Sequence, residues 1–168
     1  EGTFDWAVGQ CPGVTILRPL MEADEETFEE NIESVFRIPY SRLEIICCVG
    51  NTDSTAVPIV QQVMAKYPHV DAKLLIGMDN LSRGGKLNNL AKGIRAAKHD
   101  LLWNIDTNIT ATEADLVAFL ERLRPSLVGV CHQIGYVLPI GLDSCLYHQL
   151  ERQYLVSFLA RAFVLRFV

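Results

Sequence analysis

The chain alternates short apolar segments with longer segments whose apolar residues recur every three or four positions, and this alternation restricts its fold more than any other feature. Short apolar runs are typical of strands buried on both faces, whereas the longer period is typical of amphipathic helices. The predicted strands cover residues 13–20, 43–50, 72–77, 100–106 and 126–133. Strands that alternate with helices form βαβ units, so the sequence predicts an α/β fold with a mainly parallel sheet flanked by helices.

Local signals indicate where the helices begin. Asp24 precedes the first helical pattern and is a predicted N-cap, and Pro58 suits the first turn of the second helix. Gly85 precedes the third helical pattern. Thr112 and Asp115 have the spacing of a capping box before the fourth. Each predicted helix therefore follows its strand closely, as a chain of βαβ units requires.

Composition supports one globular domain and argues against nucleic acid as a partner. A chain of 168 residues that is 49% hydrophobic can bury a substantial core, so we expect a single domain spanning residues 1–168. The formal net charge is −5, and no block of like charges resembles an interaction tail. Such a chain supplies no basic field for a phosphate backbone, and no nucleic-acid partner is expected.

The cysteines and the lengths of the apolar runs bear on the compartment. The five cysteines are odd in number, and Cys47 and Cys48 are adjacent within an apolar run. This pattern favours reduced, buried thiols in a reducing compartment over a disulfide framework. No secretory signal opens the chain, and no apolar run approaches the roughly 18 to 20 residues needed to cross a bilayer. We expect the chain as given not to span a membrane.

Polar side chains gather where the predicted strands end. They are Asn51, Thr52 and Asp53 after the second strand, Arg83, Lys86, Asn88 and Asn89 at the start of the third helix, and Asp106 and Asn108 after the fourth strand. Ligands of open α/β sheets bind at the carboxyl ends of the strands, where helix N-termini present unpaired amides. The sequence therefore predicts a site for a nucleotide diphosphate held together with a divalent cation.

The two common glycine motifs for phosphate do not supply this site. In a P-loop the Gly-Lys pair is followed by Ser or Thr, but Leu87 follows Lys86, and Asn80 occupies the position of the first glycine. The dinucleotide pattern G-x-G-x-x-G is absent from the chain. The predicted site therefore depends on a lysine at a helix start and a carboxylate about twenty residues later.

Five sequence blocks, taken in order, resemble the landmarks of ceramide glucosyltransferases within the GT-A glycosyltransferases. They read PGVTILRPL, EIICCVGNTD, KYPHVDAKLLIG, KLNNL and LLWNIDTNI, and the resemblance covers residues 12–154. It implies a Rossmann-like GT-A fold and the transfer of glucose from UDP-glucose to ceramide with inversion. It also implies a divalent cation, Mn²⁺ or Mg²⁺, and a location at the Golgi or ER membrane on the cytosolic face.

The resemblance assigns roles to two carboxylates. Asp106 matches the acid of the family's D-S-x motif, with Thr107 in the serine position, and would hold the metal that bridges the diphosphate. Asp53 lies in the loop that contacts the nucleotide in the family. Relatives carry two or more acids in that loop, whereas Asp53 is the only carboxylate here.

The resemblance also assigns roles to the start of the third helix. The family segment N-P-K-[VI]-N-N corresponds to residues 84–89, so Lys86 is the implied contact to the diphosphate, with Asn88 and Asn89 as further nucleotide-binding residues. Gly85 replaces the family's proline. The lysine and both asparagines are kept.

The resembled family places a third acid, the base of the reaction, and a Q-x-x-R-W motif further along the chain. Neither occurs before Val168. We therefore predict no catalytic residue in this chain, which looks like the donor-binding half of such an enzyme. Without a base near the attacking hydroxyl, it is expected to be inactive alone.

Other functions remain open at this stage. The chain could belong to a GT-A transferase with another acceptor, such as a polyprenyl phosphate or a polysaccharide, or be a binding module that keeps the fold without catalysis. Lys86 could be a solvated helix residue, and Asp53 and Asp106 could simply cap turns. The apolar and arginine-bearing faces of residues 152–168 fit contact with an anionic membrane surface, or alternatively a core helix.

Overall fold

Strands and helices alternate along the chain as the sequence predicts. A computed structural model describes residues 11–23, 26–77 and 85–122, all within one compact unit, Glu1–Gly129. The elements are β1 Val14–Pro19, α1 Phe28–Phe36, β2 Leu43–Val49, α2 Ala56–Lys66, β3 Asp71–Ile76, α3 Gly85–Ala96, β4 Leu101–Asn104 and α4 Glu113–Arg122. The fifth predicted strand, residues 126–133, and the segment 152–168 lie outside the described residues.

The four strands form one parallel sheet in the order β3-β2-β1-β4. Val14 of β1 is in register with Leu43 of β2 on one side and with Leu101 of β4 on the other. The first three connections contain helices, as parallel pairing requires. Because all four strands run the same way, the segments that follow them emerge at one edge of the sheet, with β1 between β2 and β4.

Apolar residues cover both faces of the central strands. Every residue of β1 and β2 is buried, which confirms the prediction from their continuous apolar sequences. The larger core cluster includes Ile16, Ile45, Ile32 of α1, Val60 of α2 and Leu116 of α4, and the smaller one joins Leu17, Ile46 and Cys48 to Leu90 of α3. The sheet therefore has α1 and α2 on one face and α3 on the other.

Helix α3 lies close to the sheet at Gly93. A Cβ atom there would lie 3.0 Å from Cys48 Sγ and 3.1 Å from Leu17 Cδ2, closer than ordinary van der Waals contact. Glycine lowers helix propensity by about 1 kcal/mol relative to alanine, so close packing is the physical reason for it in mid-helix. The approach sets how near the start of α3 can lie to the ends of β1 and β2.

The start signals of α2, α3 and α4 are confirmed. Pro58 is in the first turn of α2, and α3 begins at Gly85. At α4 the backbone amide of Thr112 donates to Asp115 Oδ2 at 2.9 Å, and the amide of Asp115 donates to Thr112 Oγ1 at 3.3 Å. This reciprocal pair is the predicted capping box.

The first helix begins later than the sequence signal indicated. It starts at Phe28, with Thr27 in the N-cap position and no side-chain cap hydrogen bond, whereas Asp24 itself lies outside the described residues. The acidic run before the helix offers several capping positions. The helix begins where Phe28, which is 2% exposed, can enter the core.

The burial of the two adjacent thiols agrees with the sequence-based expectation. Cys47 and Cys48 are buried and form no disulfide. Burial raises the pKa of Cys47 to about 12 and that of Cys48 to about 11, so both stay protonated near neutral pH. Within residues 11–23, 26–77 and 85–122, no helix is long and apolar enough to cross a bilayer.

Candidate functional site

Lys86 and Asp106, which the sequence places in different elements, are in contact. The Nζ atom of Lys86 in the first turn of α3 lies 2.6 Å from Oδ1 of Asp106, two residues beyond β4. Their side chains are 52% and 47% exposed, although the paired Oδ1 atom of Asp106 is itself covered from solvent. In this state each charge compensates the other. The two residues predicted to meet a diphosphate and its metal therefore form one exposed ion pair at the carboxyl edge of the sheet.

Arg18 fastens the segment that carries Asp106 to the sheet. Its Nη1 and Nη2 atoms donate to the carbonyl oxygens of Ile109, at 3.0 Å, and Thr107, at 3.3 Å. The amide of Ile105 also donates to the Leu17 carbonyl at 3.0 Å, which continues the β1–β4 pairing to the residue before Asp106. The turn after β4 is thereby held from β1.

Arg18 is fully buried yet remains a cation near neutral pH. Burial lowers its pKa to about 10, an effect that the nearby Cys47 and Asp106 oppose. Arg18 was not among the site residues predicted from the sequence. Its signal is an arginine inside the otherwise apolar run VTILRP, since a buried charge requires specific partners.

Asn88 and Asn89 are both buried, at 6% and 4% exposure. The Asn89 side-chain amide donates to the carbonyl of Leu20 at 3.1 Å, which connects the start of α3 to the segment following β1. The Asn89 side chain thereby satisfies a backbone carbonyl. Their predicted contact with a nucleotide stays a prediction.

Asp53 is exposed in the turn between β2 and α2. Its Oδ1 atom accepts a hydrogen bond from Thr52 at 3.4 Å, and among the described residues it has no contact with Lys86 or Asp106. The turn is anchored by Glu22, whose Oε2 atom accepts bonds from the amide of Thr55 at 2.9 Å and from its hydroxyl at 3.0 Å. These bonds lower the pKa of Glu22. Asp53 thus lies on an anchored turn with its carboxylate open to solvent.

A cavity of about 150 Å³ lies at this carboxyl edge. It is bordered by residues 20–22, residues 49–51, Ser54, Gly85 and Asn89. Small-molecule sites usually measure about 300–1,000 Å³, so this cavity can hold only part of a nucleotide sugar. The helix start, the Asp53 turn and the end of β1 meet around it.

A second cavity, of about 270 Å³, lies at the opposite edge of the sheet. It is bordered by Gly13, Arg42, Lys98, His99 and Asp100, which precede strands instead of following them. Parallel α/β sheets bind ligands at the carboxyl ends of their strands. The smaller cavity therefore lies at the end of the sheet where a ligand is expected, next to the start of α3, but Lys86, Asp53 and Asp106 do not line it. Residues at the amino ends of the strands can serve as controls.

Lys92 joins the carboxyl ends of β2 and β3. Its Nζ atom donates to the carbonyl of Val49 at 2.9 Å and also to the carbonyl of Gly77. Gly77 has φ +109°, a left-handed conformation that glycine adopts without strain. Burial lowers the pKa of Lys92, and Cys48 opposes this effect. Because its ammonium is occupied by backbone carbonyls, Lys92 supports the site edge and Lys86 is the better placed cation for a ligand.

The protein oxygens at this edge fit a divalent ion that arrives with a diphosphate. Among the described residues, no three His, Cys, Asp or Glu side chains are grouped as a metal site. Asp106 offers one half-exposed carboxylate. Mg²⁺-type ions are commonly held by one or two carboxylates, substrate phosphates and water. The donor set therefore suits a shared metal–diphosphate site and not a metal cage made by protein alone.

Comparison with known proteins gives a matching family model and several similar enzymes. Residues 6–165 match the family model described as Glycosyl transferase family 21. The chain is 38% identical over 122 residues to a ceramide glucosyltransferase of Komagataella phaffii, covering 70% of this chain and 24% of that enzyme. It is 39% identical over 142 residues to a ceramide glucosyltransferase of Candida albicans, covering 77% and 26%. The chain thus spans about a quarter of the length of these curated relatives.

A solved structure supports the fold assignment. A mannosyltransferase from Pyrobaculum calidifontis, determined in complex with GDP-Man and Mn²⁺, superimposes with a TM-score of 0.58. The match covers 69% of this chain and 34% of that chain, at 21% identity. The parallel sheet flanked by helices is accordingly a GT-A glycosyltransferase fold, as the sequence predicts.

Proposed function

Because the chain belongs to glycosyl transferase family 21, we propose that it forms the donor-binding part of a ceramide glucosyltransferase, which transfers glucose from UDP-glucose to ceramide with inversion. The observation that carries this proposal is the Lys86–Asp106 ion pair at the carboxyl edge of the parallel sheet. The names of the relatives support ceramide as the acceptor. The chain covers about a quarter of those enzymes, so the proposal concerns its share of the site.

Binding of the donor exchanges the partners of this ion pair. Lys86 would hold the diphosphate, and Asp106 would hold a divalent ion, Mn²⁺ or Mg²⁺. The ion would offset the charge that develops on departing UDP. The bound Mn²⁺ of the Pyrobaculum mannosyltransferase supports a metal in this fold. Each of the two charges of the ion pair would then have an oppositely charged partner in the ligand.

The other predicted residues complete the donor site. Asp53, exposed on its anchored turn, contacts the nucleotide, and Asn88 and Asn89 shape the helix start around it. The family's base and Q-x-x-R-W motif have no counterpart in the 168 residues. This chain therefore binds the donor without turning it over, because in-line displacement needs a base within hydrogen-bond reach of the ceramide hydroxyl.

The location follows from the acceptor. Ceramide is confined to membranes, so the donor-binding part works beside a lipid surface, and we place it on the cytosolic face of the Golgi or ER. Residues 152–168, whose sequence combines apolar residues with three arginines, are the proposed membrane contact.

Calorimetric titration tests the proposal. The purified chain, titrated with UDP and UDP-glucose with and without Mn²⁺, should bind both in a metal-dependent way. Lys86→Ala should weaken binding about 10- to 100-fold through loss of charge-assisted bonds to phosphate, and Asp106→Ala should remove the dependence on Mn²⁺.

A second ion pair provides the control. Lys98 pairs with Asp71 at the amino edge, with side chains 45% and 47% exposed, similar to Lys86 and Asp106. Lys98→Ala and Asp71→Ala should therefore leave donor binding unchanged. A folded chain that binds no nucleotide with or without metal would favour the binding-module alternative. Tighter binding of GDP than of UDP would point to a GT-A transferase with a different donor.

A further inference from the structure

Burial of an arginine in β1 opposes folding, so its presence there needs a physical explanation. Arg18 is 0% exposed, and in β1 it pairs in register with Cys47. Taking a cation out of water costs several kcal/mol unless specific partners replace the solvent. An apolar residue would fill this strand position at no such cost. The reason must lie in what the guanidinium contacts.

Those contacts converge on the turn that follows β4. The two acceptors, the carbonyls of Thr107 and Ile109, lie 89 and 91 residues away along the chain and immediately follow Asp106. The Nε atom of Arg18 has no hydrogen-bond partner among the described residues. Its hydrogen bonds to those residues come from Nη1 and Nη2. A planar guanidinium presents its donors to two carbonyls in a rigid fork, whereas an ammonium sits on a flexible stem with rotatable donors.

Within the part of the chain that the structure describes, the turn has few other attachments. The amide of Ala111 donates to Ser34 Oγ at 3.1 Å, and the amide of Ile109 donates to the Asp106 carbonyl at 3.2 Å. Thr107 and Asp106 are only partly buried. The Arg18 fork is therefore the principal side-chain connection between the sheet and residues 107–109.

Direct contact between Arg18 and a ligand does not fit the geometry. Its side chain is inaccessible, and both terminal nitrogens are already occupied by carbonyls. Lys86 is the cation exposed at the same edge. Any effect of Arg18 on the site must pass through the turn that it holds.

We propose that Arg18 is a positioning residue, whose guanidinium fork fixes the turn after β4 so that the Asp106 carboxylate stays beside Lys86 for a metal–diphosphate ligand. The metal part of this inference rests on the proposed function. The fixing of the turn does not depend on any ligand.

Hydrogen exchange of the ligand-free chain tests the turn directly. In Arg18→Met, the amides of Ile109 and Ala111 should exchange about tenfold faster or more, because a charge-assisted clamp on the turn is lost. Amides of the central strands β1 and β2 should keep their protection. Arg18→Lys, which keeps the charge but not the fork, should protect these two amides only partly.

Titration with Mn²⁺ and UDP tests the consequence for the site. Loss of an outer-shell partner typically costs about 10- to 100-fold in metal affinity, and we expect that range for Arg18→Met, with Arg18→Lys between it and the unsubstituted chain. The control is Glu44→Gln, which alters another fully buried charged residue of the sheet, near its amino edge. It should lower stability without changing turn exchange or Mn²⁺–UDP affinity.

The outcomes separate the two proposals. Turn exchange in Arg18→Met that rises no more than in Glu44→Gln overturns the positioning role. Full restoration of protection and affinity by Arg18→Lys overturns the fork, since charge alone would then suffice. If the unsubstituted chain binds no Mn²⁺–UDP, the proposed function and the metal part of this inference fail together, while the exchange result still decides whether Arg18 fixes the turn.

Discussion

At the scale of single residues, Lys86 and Asp106 form a weak ion pair in the ligand-free chain, and the same two side chains are the proposed ligand contacts. Both side chains are about half exposed, and a pair of that kind contributes little to stability, typically 0.2–1 kcal/mol. A weak pair costs little to break when a ligand with the same charges arrives. The pair therefore suits a site that exchanges partners better than a structural support.

Removing Lys86 should have opposite effects on metal and on nucleotide. In Lys86→Ala the Asp106 carboxylate loses its competing cation, so Mn²⁺ alone should bind more tightly, by at most about fivefold. UDP should bind more weakly in the presence of Mn²⁺. Electron paramagnetic resonance of unbound Mn²⁺ during titration measures the first effect, and Lys98→Ala is the matched control. Weaker binding of Mn²⁺ alone would contradict the ion-pair exchange.

At the scale of elements, a second network of buried polar groups joins the strands near the opposite edge. Glu44 of β2 is 0% exposed and accepts hydrogen bonds from Thr15 of β1 at 2.6 Å, from Lys73 of β3 at 2.6 Å and from the amide of Lys98 at 2.9 Å. The one carboxylate of Glu44 thereby binds β1, β3 and the segment before β4. The amino ends of the strands are thereby held together, at the opposite end of the sheet from the candidate site.

The stability of the chain should depend on pH through Glu44. Burial raises its pKa, but the hydrogen bonds from Lys73, the Lys98 amide and Thr15 lower it by more, so the pKa of Glu44 in the folded chain lies below the ordinary value for glutamate. A depressed folded pKa stabilises the fold above the unfolded pKa, and this contribution is lost as pH falls through the folded value.

Urea unfolding between pH 7 and pH 3 measures this contribution. Glu44→Gln should lower the free energy of unfolding at neutral pH by about 1–3 kcal/mol and flatten its decline below about pH 4.5. Glu26→Gln, at an exposed turn, should change neither quantity. If the free energy of unfolding of Glu44→Gln fell at low pH as steeply as that of the unsubstituted chain, other groups would govern acid unfolding.

At the scale of the whole molecule, the sequence predicts the described elements but not the contacts that organise the site. The apolar runs of β1 and β2 and the starts of α3 and α4 depend on neighbouring residues, so local patterns suffice for them. The resemblance drew attention to Lys86 and Asp106, and the fold brings them into contact. The partners of Arg18 are 89 and 91 residues distant, and no periodicity encodes such a pairing. The hydrogen bond from Asn89 to Leu20 likewise depends on the packing of α3 beside β1, which local sequence patterns do not reveal.

The central claim is that donor binding separates Lys86 from Asp106, so that Lys86 binds the diphosphate and Asp106 binds its metal. Anomalous scattering from Mn²⁺ in a crystal of the chain grown with UDP and Mn²⁺ tests it most directly. We predict an anomalous peak about 2 Å from an Asp106 carboxylate oxygen, with Lys86 Nζ moved from Asp106 to the diphosphate. Bound UDP with the Lys86–Asp106 pair intact, or Mn²⁺ bound away from Asp106, would contradict the claim.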